Sequence, residues 1–565
     1  MTDTPEDYTG ADLFVDILER YGVTHLFGNP GTTELPIMEA LGDSELEYVL
    51  GLHEDIAVGM AGGYAQTKRY HAQDDDEVMP ASVVNLHVTP GLAHGLGNVY
   101  AASMTGAPVV VTAGNHELDF RHEEPILSGD LLELVQQFCK FSAEVTSVDA
   151  LPLLLRRAFR IALTPPMGPV FLSLPADVMM TETEQTPEPL GAIPTAGRGD
   201  AAQIAEAAEL LVEAENPVLV LGDHVARAGG AEAAVELAEA TGARVHGEML
   251  ACEVSFPGDH DQWLSFVPPR EEFASMLLNT DTLVFVGTST NTTLLPHESD
   301  LVPPEAACVH VGNDADEVGK LYQADAAVVG DPGEVMGELA GLVRERLDDG
   351  ERDRRIEDVM ELKESMAGTL AGVGAGDAEE GDTRASKAEL VDAMGSVAPD
   401  AYIVDEGVTS KYPLMLRWPL QPNQFISNKG GGLGYGLPAS VGAALAESER
   451  DDPRDVVGYV GDGSYLYYPH SLYSAARYDL DLTVVVSDNR NYRILKDNTN
   501  ALFGGTDEDH TFVGMDFEPP IDIPKNAESH GAEGRLVESA DDIAGAFEDA
   551  VGTPGPVVLD VMVHD

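Results

Sequence analysis

The chain has 565 residues, of which 98 are aspartate or glutamate and 32 are lysine or arginine, so its formal net charge is −66. A surface this acidic repels nucleic acid and anionic membranes, which excludes both as predicted partners. A hydrophobic content of 44% excludes a disordered acidic tail, and the length predicts about three domains.

The acidic residues are spread along the whole chain. Because salt screens like charges, we predict a salt-accumulating halophile as the source; an acidic protein from a mesophile is the alternative. The start of the chain, MTDTPEDYTGADLF, lacks the apolar segment of a signal peptide. Cys139, Cys252 and Cys308 have no metal-ligand spacing and predict no disulfide framework. The prediction is a cytoplasmic protein without a membrane or nucleic-acid partner.

The first part of the chain, from Tyr8 to about Pro175, predicts one α/β domain. Apolar runs predict strands at 23–27, 48–52, 82–86, 108–112 and 169–174. Strands that are apolar on both faces are typical of a parallel sheet covered by helices. Polar residues follow three of these strands, namely Thr32, Glu54 and His87.

Glu54 is the most informative of the three, because it precedes the apolar sequence Ile56-Ala57-Val58. A partly desolvated carboxyl group can donate a proton near neutral pH. The alternative is an ordinary acid in the first turn of a helix, stabilised by the helix dipole. Small residues at 61–63 favour the first interpretation, because they allow another group to approach the helix closely.

The middle of the chain predicts a second doubly wound sheet, with strands at 217–221, 282–287 and 307–312. The sequence VLGDHVARAGG at 220–230 lacks the G-x-G-x-x-G fingerprint, so FAD is not expected. A Gly-rich acidic segment at 368–384 predicts a linker to the last domain. Beyond it, residues 493–524 have little periodicity and predict a lid over a site.

The stretch 456–492 predicts a strand, a turn, a helix and a second strand, the unit of a parallel sheet. Asp462 and Asn489 follow the two strands, at the edge where such sheets bind ligands. Their oxygens, with the carbonyl of Asn491, suit Mg²⁺. The amides of Gly463 and Ser464 can donate to a phosphate. A plain Asp-Gly turn is the alternative for the first of these residues.

Five segments together resemble the thiamine-diphosphate-dependent decarboxylase and acetolactate synthase superfamily. They are GNPGTTELP (28–36), LHEDIAVGMAGGYAQ (52–66), VNLHVTPG (84–91), GGLGYGLPA (431–439) and the stretch 461–492. Within that superfamily the GNPG, NLH and VTAG sequences are most similar to benzoylformate decarboxylase. The resemblance implies three doubly wound α/β domains: pyrimidine-binding (1–185), middle (195–347) and diphosphate-binding (385–565).

The resemblance also implies roles for single residues. Glu54 matches the glutamate that hydrogen-bonds N1′ of the aminopyrimidine, and Leu433 matches the apolar wedge that bends the cofactor. His87 and Thr32 match catalytic residues of the decarboxylase branch. The other implied cofactor contacts are Thr409, Gly431, Gly463, Ser464 and Tyr492. The implied Mg²⁺ ligands are Asp462, Asn489 and Asn491.

The predicted reaction is the non-oxidative decarboxylation of a 2-oxo acid, dependent on thiamine diphosphate and Mg²⁺. The alternatives are an acetolactate synthase-like carboligase, a non-catalytic relative and a CoA-thioester lyase, although no basic cluster for a CoA phosphate is visible. The family shares each site between neighbouring subunits, which implies a homodimer or homotetramer.

The residues of the substrate pocket leave the 2-oxo acid open. Pro30, Ile126, Leu127 and Leu495 resemble apolar pocket positions of the aryl decarboxylases. Ser427 and Asn498 stand where the aryl decarboxylases have phenylalanines. His116 and His297 are further candidates without an assigned role.

Overall fold

The computed structural model describes residues 8–376, 378 and 380–565. Residues 1–7, part of the start that was predicted to lack a signal peptide, lie outside the described residues. Residues 377 and 379 of the predicted linker also lie outside them. Eighteen strands in the described part form three six-stranded sheets, one after another along the chain. Every pairing within these sheets is parallel, which confirms the predicted fold class of three doubly wound α/β sheets.

The first sheet has the strand order β2-β1-β3-β4-β6-β5. Its strands are β1 (His25–Gly28), β2 (Glu47–Leu50), β3 (Ser82–His87), β4 (Val109–Asn115), β5 (Ser142–Glu144) and β6 (Val170–Pro175). Its helices are α1 (Gly10–Arg20), α2 (Leu35–Ala40), α3 (Glu54–Asp74), α4 (Val88–His94), α5 (Leu96–Thr105), α6 (Leu131–Val135), α7 (Leu151–Leu163) and α8 (Ala176–Met179).

The middle sheet has the order β12-β11-β10-β7-β8-β9. Its strands are β7 (Pro217–Leu221), β8 (Arg244–Gly247), β9 (Trp263–Phe266), β10 (Thr282–Val286), β11 (Ala307–Gly312) and β12 (Ala326–Val329). The accompanying helices are α9 (Ala201–Glu213), α10 (Asp223–Arg227), α11 (Ala231–Thr241), α12 (Glu271–Leu277), α13 (Pro332–Arg344) and α14 (Asp349–Ala371).

The third sheet has the order β14-β13-β15-β16-β18-β17. Its strands are β13 (Tyr402–Glu406), β14 (Phe425–Ser427), β15 (Val456–Gly461), β16 (Leu482–Asp488), β17 (Glu533–Val537) and β18 (Pro556–Met562). Its helices are α15 (Lys387–Val397), α16 (Lys411–Arg417), α17 (Gly436–Ser448), α18 (Asp462–Tyr465), α19 (Ser471–Arg477), α20 (Arg493–Phe503), α21 (Ile523–Ser529) and α22 (Ile543–Val551).

The ten strands predicted above from apolar runs, and an eleventh predicted at 556–563, are present, with ends within three residues of the predicted ones. Seven strands were missed, namely β5, β8, β9, β12, β13, β14 and β17. Most of these are short, and β13 ends in two acidic residues, Asp405 and Glu406, that interrupt the apolar pattern. No helix among the described residues has both the length and the apolar character needed to cross a membrane.

Two predictions about irregular segments were wrong in part. Residues 493–503 form the helix α20, which has no buried residue and carries exposed apolar side chains. The predicted linker also begins later than 368, because α14 continues to Ala371. In α20 polar and charged residues obscured the helical pattern, whereas in α14 the glycine at 368 suggested an end to the helix one turn too early.

Helices α3 and α17 pack directly against each other and join the first and third sheets in one core. Glycines make this close contact possible. A Cβ added to Gly63 of α3 would lie 2.2 Å from the carbonyl oxygen of Ala439. A Cβ added to Gly442 of α17 would lie 1.9 Å from the carbonyl oxygen of Met60. The small residues after Glu54 therefore serve the approach of a helix of the same chain.

We predict that Gly63→Ala lowers the unfolding temperature, because the new methyl group would collide with the backbone of α17. Overpacking of this kind costs about 1–3 kcal/mol. The matched control is Gly62→Ala in the same helix, where an added Cβ meets no atom within 4 Å. Because alanine favours a helix over glycine, the control should be neutral or stabilising. Calorimetry that gives both variants the same unfolding temperature would contradict the packing argument.

Candidate active site

The carboxyl ends of β2, β1 and β3 are neighbours, and each is followed by a residue singled out from the sequence. Glu54 is the first residue of α3, and its side chain is only 13% exposed. Its Oε2 atom lies 3.2 Å from Nδ1 of His94. A Cβ on Gly91 would lie 3.2 Å from its other oxygen, so glycine leaves room for this carboxylate. Glu54 is thus held at the helix start and faces α4.

His87 ends β3 and is held by a buried carboxylate. Its Nδ1 atom lies 2.8 Å from Oε2 of Glu34, which also accepts the backbone N–H of Gly31 at 3.0 Å. The hydrogen bond to Glu34 raises the pKa of His87, although partial burial opposes this change. An imidazole with a raised pKa carries a proton over more of the neutral range, so His87 can act as a proton donor.

Thr32, the other residue of this edge, is exposed and does not contact His87 in the structure. The hydroxyl near His87 belongs to the next residue, Thr33, at 3.2 Å from Nδ1. Thr32 instead lines an open groove of about 1070 Å³ together with His116, and neither Glu54 nor His87 lines this groove. His116 bonds the carbonyl oxygen of Ile126 at 2.9 Å.

The carboxyl ends of β13, β15 and β16 form a second edge, in the third sheet. Asp462 directly follows β15, and its Oδ1 accepts the backbone N–H of Gly463 at 2.7 Å. Its Oδ2 is buried and has no hydrogen-bond partner in the described part of the chain. Burial and the neighbouring Asp488 raise the pKa of Asp462 to about 8. A buried carboxylate with a free oxygen and an acidic neighbour is a suitable ligand for a cation.

The two predicted asparagine ligands follow β16 and are oriented by the last residue of the chain. The Asp565 carboxylate accepts the side-chain N–H groups of Asn489 at 2.7 Å and Asn491 at 2.9 Å. The Oδ1 atom of Asn491 is buried and, within the described residues, unpartnered. Because the amide nitrogens face Asp565, the amide oxygens point away from it; Oδ1 of Asn489 accepts the backbone N–H of Asn491 at 3.3 Å, and Oδ1 of Asn491 is left for a ligand.

The glycine loop that carries Leu433 is held by Glu406, the last residue of β13. The Glu406 carboxylate accepts the side-chain N–H of Asn428 at 2.9 Å and the backbone N–H groups of residues 434–436 at 3.0–3.1 Å. Burial raises the pKa of Glu406 to about 7, although these four donors lower it. Leu433 is half-buried, and a Cβ on Gly431 would meet nothing within 4 Å, so open space lies beside the loop.

The predicted diphosphate contacts lie around the same edge. Gly463 allows the ring of Tyr492 to pack closely, because a Cβ there would lie 2.6 Å from that ring. The hydroxyl of Ser464 donates to the carbonyl oxygen of Glu406 at 3.0 Å. Thr409 is half-buried in the turn that follows β13. The described geometry therefore gathers these residues within one region of the third sheet.

Three residues of the two edges have the left-handed backbone conformation that side chains disfavour. Val88 follows His87 with φ 43°, Val408 precedes Thr409 with φ 43°, and Arg490 lies between the two asparagines with φ 57°. Such strain is stored mainly where function requires a particular geometry. Its occurrence at both edges is independent support for a site there.

Asp55, next to Glu54, ties the two edges together within one chain. Its carboxylate accepts the backbone N–H of Asn98 at 2.7 Å and the hydroxyl of Tyr468 at 2.9 Å. The side chain of Asn98 in turn donates to the carbonyl oxygen of Gly434 at 3.4 Å. The start of α3 is therefore connected to the residue that follows Leu433.

Sequence reasoning missed the residues that hold the candidate ligands and bases in place. They are Glu34, His94, Glu406, Asp488 and Asp565. Two of them carried a usable signal: Glu34 lies in the same Gly-rich turn as Thr32, and Glu406 precedes the turn of Thr409. The other three act through contacts that no local pattern records.

Comparison with known proteins gives the family. Residues 8–137, 204–339 and 407–561 match the N-terminal TPP binding, central and C-terminal TPP binding domains of the thiamine pyrophosphate enzymes. Benzoylformate decarboxylase from Pseudomonas aeruginosa is 30% identical over 552 residues, covering 97% of each chain. A probable acetolactate synthase large subunit from Methanocaldococcus jannaschii is 26% identical, covering 98% of this chain and 92% of that protein.

A solved structure agrees with these relatives. The thiamine diphosphate-dependent 4-hydroxybenzoylformate decarboxylase of Rhodococcus jostii superposes with a TM-score of 0.83 at 28% identity, covering 98% of this chain and 99% of that one. The full-length similarity, the three matched domains and the three observed sheets all indicate the same three-domain family. The chain therefore belongs to the thiamine pyrophosphate enzymes, a superfamily that contains both decarboxylases and acetolactate synthases.

Proposed function

We propose that the protein decarboxylates a 2-oxo acid to an aldehyde with thiamine diphosphate and Mg²⁺, as a benzoylformate decarboxylase-like enzyme. The observation that carries this proposal is the pair His87 and Glu34. An imidazole whose pKa is raised by a buried carboxylate can supply the proton that completes an aldehyde. The 30% identical benzoylformate decarboxylase supports the same choice.

The third sheet offers a suitable donor set for a magnesium diphosphate. Oδ2 of Asp462 is an unpartnered hard oxygen of the kind that Mg²⁺ prefers, and the unpartnered side-chain Oδ1 of Asn491 belongs to the residue whose backbone carbonyl the resemblance implies as a ligand. We assign the metal to Asp462, Asn489 and the Asn491 carbonyl, and the diphosphate to Thr409, Gly463, Ser464 and Tyr492. When bound, thiamine diphosphate supplies a carbon nucleophile and an acceptor for the electrons released with carbon dioxide.

The remaining proposed roles concern proton transfer, the conformation of the cofactor and contact with the substrate. Glu54 would exchange a proton with N1′ of the aminopyrimidine, with His94 fixing its carboxylate. Leu433 and Gly431 would set the conformation of the bound cofactor. His87 would donate a proton to the product carbon, and Thr32 would contact the substrate. These roles, the domain limits 1–185, 195–347 and 385–565, and a cytoplasmic location stay proposals.

Acetolactate synthase-like carboligation is the second candidate, favoured by the relative from Methanocaldococcus jannaschii. It would require a second 2-oxo acid to react before His87 donates its proton. Ser427 does not help to choose, because its hydroxyl is buried between Asp405 (2.8 Å) and Lys411 (2.9 Å). The identity of the 2-oxo acid is therefore left to experiment.

We propose that two chains complete each site, in a homodimer or a homotetramer. The predicted pocket residues Ile126 and Leu495 are 84% and 45% exposed in one chain, and Phe503 of α20 is 77% exposed. Exposed apolar side chains beside a site favour coverage by a partner. Helix α20, which begins the predicted lid, has the exposed apolar face that such coverage requires.

Two variants test both the chemistry and the sharing of sites. Glu54→Gln and Asp462→Asn should each lower the rate of cofactor-dependent carbon dioxide release about 10²- to 10⁴-fold. If Glu54 and Asp462 of one site come from different chains, mixing and reassembling the two variants should restore about a quarter of the sites. Glu45→Gln, an exposed acid of the same domain, should remain fully active. No restoration in verified mixed dimers would place both residues of a site in one chain.

The pKa of Glu406 predicts a pH dependence of cofactor binding. Above pH 7 the ionised carboxylate accepts all four N–H donors, whereas a proton taken up below pH 7 competes with them. A raised pKa means that burying the ionised Glu406 carboxylate lowers the free energy of unfolding above pH 7. This destabilisation disappears as the carboxylate is protonated at lower pH. The loop nevertheless loses one of its two fully accepting oxygens, so thiamine diphosphate affinity should fall, by at most about tenfold per pH unit.

Glu406→Gln is the control for this dependence, because glutamine keeps an accepting oxygen but does not titrate. Titrations of the apoprotein between pH 6 and pH 8 should show a steeper loss of affinity in the wild type than in the variant. The ionisations of the cofactor itself affect both proteins equally. Identical slopes would contradict a role for Glu406 in the glycine loop.

We also propose that the protein comes from a salt-accumulating halophile, as its charge of −66 suggests. Dilution into low salt should lower the unfolding temperature and the activity, because repulsion between carboxylates is no longer screened. Trehalose at equal osmotic strength is the control and should not rescue the protein. Equal unfolding temperatures in low salt and in molar potassium chloride would contradict this origin.

A further inference from the structure

Six charged side chains meet where the three domains join, and we call them the central charge cluster. It contains three cations and three carboxylates: Arg69 from α3, Asp223, Arg227, Glu248 and Glu253 from the middle domain, and Lys429 from the segment before α17. Their side chains are all at most 9% exposed. Charged side chains are rarely buried unless they are paired with opposite charges. Loss of any one of these six residues would therefore leave an uncompensated buried charge.

The cluster lies at the point where the order of the middle sheet reverses, between β7 and β10. Doubly wound sheets bind ligands in the crevice at this point. Here Glu248, which follows β8, occupies the crevice. Its carboxylate accepts the backbone N–H groups of Asp223 at 2.9 Å, Ser289 at 2.9 Å and Thr290 at 2.8 Å. Amides that could bind an anionic ligand therefore bind a carboxylate of the protein itself.

Lys429 reaches into this crevice from the third domain. Its Nζ atom lies 2.7 Å from Oε1 of Glu248 and also contacts Oδ2 of Asp223. Its side chain is only 1% exposed. Burial lowers the pKa of Lys429, but the two carboxylates more than reverse this effect and raise it above its ordinary value. The ammonium group is therefore charged and bound to two carboxylates of another domain.

The position of Lys429 gives this contact a functional meaning. It directly precedes the glycines 430–432, which have no side chains to fix their conformation. Asn428 accepts the backbone N–H groups of Gly430 at 2.8 Å and Gly431 at 3.2 Å. Glu406 holds the far end of the loop, at residues 434–436. Lys429 is thus the anchor at the near end, and Leu433 lies between the two anchors.

We propose that Lys429 is a positioning residue: the middle domain, through Asp223 and Glu248, holds the glycine loop that presents Leu433 to the cofactor. The inference rests on the proposed function, because it assigns the loop to cofactor binding. It gives the middle domain a part in the active site without any ligand of its own. The crevice of the middle domain binds the side chain of Lys429. The backbone amides of the crevice hold the Glu248 carboxylate in the orientation that contacts this lysine.

The test compares Lys429→Met with a matched lysine variant, Lys411→Met. Lys411 also lies in the third domain and bonds the middle domain, at the carbonyl oxygen of Ala251 (2.7 Å). Its other hydrogen bond is to Ser427 (2.9 Å), and none reaches residues 428–436 in the described structure. Both apoproteins are titrated with thiamine diphosphate and, separately, with inorganic diphosphate, each with Mg²⁺. We expect Lys429→Met to lower the affinity for thiamine diphosphate at least about tenfold. The affinity for inorganic diphosphate should change less than about twofold. Lys411→Met should leave the ratio of the two affinities at the wild-type value.

A second variant covers the case in which Lys429→Met does not fold because two carboxylates are left without their cation. In Lys429→Met with Glu248→Gln the cluster stays neutral, and the single glutamine oxygen can still accept the backbone amides of Ser289 and Thr290. The same selective loss of thiamine diphosphate affinity is expected. Unchanged affinity in either folded variant would overturn the inference, as would equal losses for both ligands. A wild-type protein that binds no thiamine diphosphate would instead overturn the proposed function.

Discussion

The central charge cluster limits how the three domains can lie relative to one another. Removing one partner from a buried, hydrogen-bonded ion pair costs about 3–5 kcal/mol, because the remaining charge has no compensation. Arg69 lies on α3, the helix that begins with Glu54, and contacts Glu253 at 2.6 Å. Lys429 adjoins the glycine loop of Leu433. Any relative movement of the domains would therefore strain both the buried charges and the placement of Glu54 relative to the glycine loop within the chain.

Close backbone packing reinforces this constraint. Helices α3 and α17 touch through glycines, and Asp55 extends the contact to Tyr468 and, through Asn98, to Gly434. A side chain at the start of α3 is positioned by packing along that helix, whereas the glycine loop is positioned by two charged anchors. The candidate site thus combines a rigid helix end with a loop that has little structure of its own. Strained residues beside both parts agree with a geometry that the surrounding fold imposes.

Much of the fold could be predicted from the sequence, because buried parallel strands are continuous apolar runs. The positions of Asp462 and Asn489 at strand ends followed from the same pattern. Helix α20 was missed because polar and charged residues separate its few apolar ones, and β13 was missed because it ends in Asp405 and Glu406. Contacts between distant residues, such as Lys429 with Glu248 and Asp565 with Asn491, leave no periodic trace in a sequence. The scaffold was therefore predictable, whereas the residues that orient the site were not.

Product identity tests the central claim, a thiamine diphosphate-dependent 2-oxo acid decarboxylase, most directly. Purified protein with thiamine diphosphate, Mg²⁺ and high salt would be given phenylglyoxylate and pyruvate separately, and carbon dioxide would be quantified together with the organic product. The account predicts one aldehyde per carbon dioxide from the preferred acid, since His87 supplies the final proton. Acetolactate or another acyloin as the main product would contradict it and assign the protein to the carboligases.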